Sequence, residues 1–241
     1  MIPKLTNKIF IEGTIKCLTG LRIGGNKSSL EIGGVDLSII KSADGLPYIP
    51  GSSLKGKLRS LLAKLQGWEN ADQDKEQITD LFGSGGGKDK DSKIITRLFV
   101  RDAALNKKAF EISFPDRTKR DFEYSETKTE NVIDRSTGKA QHPRTIERVP
   151  AGSVFTFSMV IDVYEGDNFN RFLETMQSAL ELLQYDYLGG HGSRGSGKVK
   201  IAIANVEGKI FKEGTILPMP TDIWSGFIQK VNDAVKESVQ P

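Results

Sequence analysis

The sequence predicts an α+β fold: a ferredoxin-like unit with long insertions. Three observations predict it. Four stretches alternate apolar and polar residues at the two-residue period of strands. Two others carry the 3.6-residue apolar stripe of helices. Their order along the chain is β-α-β-β-α-β, the split βαβ unit. RNA-recognition modules share this topology, but their stacking-aromatic signature is not visible here. A fold alone assigns no function.

Each element has its own justification. Lys8 to Leu18 sets Ile9, Ile11, Ile15 and Cys17 against Lys8, Glu12, Thr14 and Lys16, a half-buried strand. Thr19 to Pro50 is a long connection punctuated by Gly24-Gly25, Gly33-Gly34 and Asp44-Gly45; ordered connections of this length are commonly functional. Pro47 and Pro50 hold the next approach extended, and Gly51, Ser52 and Ser53 offer N-cap chemistry. Leu54, Leu58, Leu61, Leu62 and Leu65 then form a helical stripe that runs to about Gln66.

Trp68 to Lys93 holds a short helical piece, Glu76 to Phe82, and the run Gly83 to Asp91, a surface loop by composition. Ile94 to Ala103 reads as the second strand, and Asn106 to Pro150, charged in both signs and without apolar period, as an excursion or hairpin leaving the core. Ser153 to Tyr164, with Phe155, Phe157, Met159, Ile161 and Val163 facing one way, is the third strand. Asp167 or Asn168 caps a helix whose stripe is Phe169, Phe172, Leu173, Met176, Leu180, Leu183 and Tyr187, stopped by Gly189-Gly190. Lys198 to Val206 is the fourth strand. A last helix, about 221–237, shows Ile223, Trp224, Phe227, Ile228, Val231 and Val235. The whole reads as one domain, with its core at about 7–66, 94–104 and 152–207 and an insertion at about 105–150.

With 241 residues, 37% hydrophobic and 27% charged, the chain can bury a sizeable core. A net charge of only +3 requires any nucleic-acid surface to be local, with the acids segregated elsewhere. The one cysteine, Cys17, excludes an internal disulfide and suits a reducing compartment. Cys17, His142 and His191 lie too far apart in sequence to suggest a structural zinc site. No apolar leader or membrane-length window is present, so the cytoplasm is the expected location.

The first helix begins against the usual rule. Its positive end would prefer acids, yet it carries Lys55, Lys57 and Arg59 with no acid until Glu69. An outside anion such as a phosphate would complete such a site. Gly56 inside the helix forfeits about 1 kcal/mol against Ala, a cost that close approach of a ligand would offset. Further on, Gly189 to Lys198 holds five glycines in ten residues. It satisfies G-x-G-x-x-G and most of a Walker A pattern, but both need a strand before and a helix after, and here the order is reversed. What remains is a loop of bare N–H groups, with Ser193, Arg194, Ser196 and Lys198, able to wrap a phosphate backbone.

Leu46-Pro-Tyr-Ile-Pro-Gly-Ser-Ser-Leu-Lys-Gly-Lys-Leu-Arg59 and Leu188-Gly-Gly-His-Gly-Ser-Arg-Gly-Ser-Gly-Lys-Val199 closely resemble the RAMP superfamily of CRISPR effector proteins. Gly20 to Gly25, Ile32 to Asp36 and Asn131 to Arg135 narrow the resemblance to the repeated backbone subunit of type III-A (Csm) complexes, over roughly Lys8 to Val206. The resemblance implies a subunit that lines up with further copies of itself and other Csm subunits on a guide RNA. It also implies that complementary target RNA is cut at regular intervals.

On that resemblance Ser52, Ser53, Lys55, Lys57 and Arg59 grip guide-RNA phosphates, joined by Gly192, Ser193 and Arg194. The resemblance also implies that the core is a palm and that the insertions form a lid and, at about 105–150, a thumb, with Arg135, Arg144 and Arg148 as thumb contacts. Asp36 matches the cleavage aspartate, as a base toward the RNA 2′-OH or as a ligand to a divalent cation, Mg2+ foremost. Arg22 stands where related chains often carry His; it can replace a phosphate contact but not an acid–base group. A scaffold that binds guide RNA without cutting is the alternative, and Asp36 discriminates between the two.

Overall fold

The computed structural model describes residues 3–25, 35–67, 76–84 and 94–234. At its centre is β1 (Leu5–Cys17), flanked antiparallel by β7 (Val154–Tyr164) and β8 (Val199–Lys212). The alternation that marks these strands also decides their faces: Ile9, Ile11, Ile15 and Cys17 are buried, with Phe155, Phe157, Met159 and Ile161 beside them. In the register Ile9 meets Ile161, Ile11 meets Met159 and Ile15 meets Phe155, so apolar side chains oppose one another across the seam.

Beyond β7 the sheet continues through β4 (Ala103–Leu105) to β2 (Tyr48–Ile49); beyond β8 it continues to β9 (Thr215–Pro218). The order is β2-β4-β7-β1-β8-β9, with β3 (Leu98–Val100) also on β7. Helices α1 (Gly51–Leu65), α2 (Glu76–Phe82), α4 (Phe169–Tyr185) and α5 (Ser225–Asp233) bury their stripes in the same core. The fold is thus mixed helix and strand, built on antiparallel sheets. After α3 (Lys107–Ser113) the chain leaves the core as a separate two-stranded hairpin, β5 (Glu126–Ile133) and β6 (Ala140–Arg148).

Several expectations are corrected. The stretch expected as one strand, Ile94 to Ala103, forms β3 and β4 with a break at Arg101-Asp102. The break lets the Asp102 carboxylate turn back and accept the Gly51 N–H at 2.7 Å. Pro50 is the N-cap of α1, with no side-chain cap, so Gly51, Ser52 and Ser53 lie inside the first turn. Asn168 caps α4, accepting from Arg171 N–H, while Asp167 accepts from Tyr164 N–H and pairs with Arg97. β8 runs on past Val206 to Lys212 and folds back as β9. The last helix starts after a 3-10 turn at Asp222–Trp224; Val235, Gly33-Gly34 and Trp68 lie outside the described residues. Among the described residues no helix is long and apolar enough to cross a membrane.

Candidate functional site

Two parts of the long β1–α1 connection pair with the hairpin. Residues 21–25 and 36–40 pair with each other, Ile40 N–H donating to Ile23 O at 2.9 Å and Gly25 N–H to Ser38 O at 3.3 Å. Both segments lean on one edge of β6 and its continuation. Leu21 and Val149 exchange backbone hydrogen bonds at 2.8 Å. Asp36 N–H donates to Thr145 O at 3.1 Å, and Glu147 N–H donates to Leu37 O at 2.9 Å. Asp36 stands exposed at the outer end of this pairing, one oxygen held at 2.8 Å by the Thr145 N–H. A short polar side chain held by backbone in this way presents its carboxylate on a defined support.

Below it the glycine-rich loop packs onto the same connection. Gly190 N–H donates to Arg22 O at 2.8 Å and Gly197 N–H to Gly20 O at 2.9 Å. Gly189, at φ 76°, lies so close to the Arg22 carbonyl that any β-carbon would collide with it, so both the backbone angle and the space demand glycine. Residues 192–194 then make a 3-10 turn after His191, itself left-handed at φ 63°. The Arg22 guanidinium is half-buried beside Gly24 and Gly190; Nε has no hydrogen-bond partner among the described residues. Burial lowers its pKa.

The hairpin meets this loop through Glu130. Its carboxylate meets Lys128 at 3.0 Å, Arg194 at 3.2 Å and His191 Nδ1 at 3.5 Å, and Lys128 also donates to Arg194 O at 2.8 Å. Burial acts to raise the Glu130 pKa, but the Lys128 hydrogen bond and the charges of Lys128, Arg194 and His191 together bring it below the usual value. Burial, then the Arg194 and Arg22 charges, lowers the His191 pKa against the pull of Glu130. Arg144, paired across the hairpin with Glu130, faces His191 and Arg194 over a cleft of about 310 Å³. Arg135 is exposed near the hairpin tip, and Arg148 pairs with Glu126 at 2.7 Å.

The residues grouped at the start of α1 do not all face one way. Ser52 is exposed; Ser53 and Arg59 are half-buried. Lys55 turns inward, its ammonium donating to Thr96 Oγ1 at 2.7 Å and Leu98 O at 2.8 Å; burial, then the Arg59 charge, lowers its pKa. Lys57 pairs with Asp186 at 3.1 Å. The expected missing acid at the helix start is supplied by Asp102. Gly56 faces open space, so packing within the chain does not require it.

The structure therefore brings Arg144 and Arg194 to one cleft, sets Arg22 against the glycine-rich loop, places Asp36 on the β6 edge at Thr145, and holds Ser52, Ser53, Lys55, Lys57 and Arg59 on α1. Sequence reasoning missed Glu130, Glu147, Asp102 and Thr145. No local pattern marks them, because each works through a partner distant along the chain. The glycine-rich loop is less bare than expected, because the N–H groups of Gly190, Arg194, Gly195, Ser196, Gly197 and Lys198 already donate within the chain; the guanidinium groups of Arg22, Arg144 and Arg194 are what suit an extended anionic ligand. Among the described residues no three His, Cys, Asp or Glu side chains gather as a metal site.

An antiparallel sheet thus carries a separate hairpin that holds an exposed carboxylate at one strand edge and, with the glycine-rich loop, lines a cleft bearing Lys128, Arg144, His191 and Arg194. The chain belongs to the RAMP superfamily, whose family model matches residues 14–200. A relative from Enterococcus italicus, named CRISPR system Cms endoribonuclease Csm3, is 40% identical over 206 residues, 83% of this chain and 92% of the relative. One of the same name from Methanocaldococcus jannaschii is 39% identical over 207 residues, covering 81% and 79%. Among solved structures, the crystal structure of a Csm3-Csm4 subcomplex in the type III-A CRISPR-Cas interference complex matches 94% of this chain and 97% of that one. Its TM-score is 0.53 at 26% identity. The Methanopyrus kandleri Csm3 crystal structure shares the fold, with TM-score 0.56 at 21% identity over 86% and 78% of the two chains.

Proposed function

We infer that this chain is the backbone subunit of a type III-A CRISPR interference complex, binding guide RNA and cutting complementary target RNA. Its likeness over most of its length to relatives named endoribonucleases supports this reading. The observation that carries it is the exposed Asp36 carboxylate, fixed by Thr145 at the base of the thumb. The four antiparallel strands β4-β7-β1-β8 serve as a ferredoxin-like palm in this reading, and β5-β6 as the thumb. Csm subunits and further copies of the chain are its partners, in the cytoplasm.

RNA carries its own nucleophile, the 2′-OH, so the protein needs only to orient the strand for in-line attack and to assist one proton or one charge. The cleft holds the strand: Gly192, Ser193 and Arg194 take phosphate oxygens, and Arg22 and Arg144 flank them. Asp36 either accepts the 2′-OH proton or ligates a divalent cation. A lone exposed carboxylate fits Mg2+, which is commonly held by one or two carboxylates together with substrate phosphates. Bound there by Asp36, Mg2+ would neutralise charge developing at phosphorus.

The test is cleavage of a guide-complementary RNA by the assembled complex, comparing Asp36→Ala with wild type, with and without Mg2+. The expected result is intact assembly with cleavage abolished. Normal cutting by the variant would leave this subunit the role of a guide-binding scaffold.

A further inference from the structure

We propose that Glu147 is the positioning residue for Asp36, a role that rests on Asp36 being the cleavage carboxylate. Glu147 is 2% exposed, yet it belongs to the thumb hairpin, where charged side chains ordinarily face water. It sits where two segments diverge along one strand edge. Thr145 and Glu147 give their backbone groups to Asp36 and Leu37, and two residues later Val149 gives its own to Leu21. The loop's next donor, Ile39 N–H, is met by the Glu147 side chain, with Oε2 accepting at 3.1 Å. The side chain thus continues the pairing past the point where the strand edge is handed to the second segment.

The other oxygen, Oε1, accepts from Ser125 Oγ at the start of the hairpin and pairs with Lys41 Nζ. Lys41 in turn lies 5.3 Å from the centre of the Phe122 ring. Ile39 and Lys41 come from the loop; Ser125 and Glu147 come from the thumb. One buried carboxylate therefore fixes the loop to the hairpin three residues beyond Asp36. A buried carboxylate that loses its partners, or partners that lose their carboxylate, leave desolvated polar groups unmet, so the arrangement has one favoured register. A slip of one residue along the edge would move Asp36 by about 3.3 Å. Misplacement of a reacting group by about 1 Å already costs about a hundredfold in rate.

The experiment uses complexes reconstituted on guide RNA with Glu147→Ala, Glu147→Gln, Lys41→Met and Asp36→Ala. Glu147→Ala is expected to assemble and to bind target within about twofold of wild type. Its single-turnover cleavage at saturating target should fall about 10- to 100-fold, and the Ile39 amide should lose hydrogen-exchange protection. Glu147→Gln keeps an acceptor for Ile39 N–H and is expected to recover part of the rate; Lys41→Met should fall between it and wild type. If Glu147→Ala does not assemble, the Gln and Met variants decide: a fall in rate with target affinity retained supports positioning. Wild-type rates in the Glu147 and Lys41 variants beside an inactive Asp36→Ala would overturn the proposal, as would losses of affinity equal to the losses of rate. Normal cutting by Asp36→Ala would instead remove the reading on which it rests.

Discussion

Lys57 places its ammonium 3.8 Å from the centre of the Tyr187 ring, and the backbone of Gly192 lies against the same ring. Tyr187 follows the end of α4 and links the two basic elements, the start of α1 and the glycine-rich loop. A cation over an aromatic face contributes about 0.5–2 kcal/mol depending on burial, and the Lys57 side chain is only 15% exposed. The loop therefore takes its position from α1 as well as from the thumb.

Gly192→Ala forces a β-carbon into the Tyr187 ring and should destabilise the isolated chain by about 1–3 kcal/mol. Gly56→Ala meets open space on an exposed helix and should stabilise it by up to about 1 kcal/mol. Urea denaturation of the two variants checks both signs. If a ligand approaches the backbone at Gly56, the stabilised variant will bind guide RNA more weakly.

Asp102→Ala removes the side-chain acceptor for Gly51 N–H at the start of α1, where Pro50 provides no side-chain cap. Stability should fall by about 0.5–2 kcal/mol. Chemical denaturation measures it. A loss under 0.3 kcal/mol, taking about that as the resolution of such measurements, would mean that water serves the helix end equally well.

Guide-RNA affinity should fall linearly in log–log with salt, and each arginine that meets a phosphate contributes about 0.7 to the slope. Arg144→Ala and Arg194→Ala should each make the slope shallower by about that amount. Lys55→Met should lower stability with less change in slope, because its ammonium serves Thr96 and Leu98. An unchanged slope for Arg194→Ala would restrict that side chain to its pairing with Glu130.

Asp134 closes the hairpin tip, accepting from the Ser136 hydroxyl and from the N–H groups of Ser136 and Thr137. The Ser136 hydroxyl, then the two N–H groups, lower its pKa from 3.8 to about 2. Its contribution to the turn is fully present above pH 3.8 and is lost as the pH falls through about 2. Carboxyl chemical shifts followed from about pH 6 to about pH 1.5, roughly two units either side of an ordinary Asp pKa, should show its midpoint well below that ordinary value. A midpoint near the ordinary value would mean that the turn opens in solution.

The strands were legible where burial alternates: β1 and β7 follow their sequence patterns nearly residue for residue. β9 was not, because all four of its residues are exposed and no alternation marks it. Asp36 was legible only through the family resemblance of the stretch Ile32 to Asp36, since a lone Asp after two glycines is ordinarily a turn residue. Glu147 and Asp102 could not be read at all. Their partners Ile39 and Gly51 lie 108 and 51 residues away, and a charged residue in a polar stretch reads as solvated. The same distance hid Glu130, whose pairing with Arg194 spans 64 residues. Lys55 erred the other way: its helical position predicts an outward cation, but its stem carries the ammonium to the end of β3.

A two-stranded hairpin standing apart from the main sheet would ordinarily be a liability, marginally stable and open to pairing with stray strands. Here residues 36–37 occupy part of the β6 edge and the Leu21 segment takes the stretch beyond it. The segment bearing the carboxylate is thus also an edge guard. A chain with that loop displaced would offer unpaired backbone to its neighbours, so selection against aggregation and selection for the carboxylate's placement act on the same few residues.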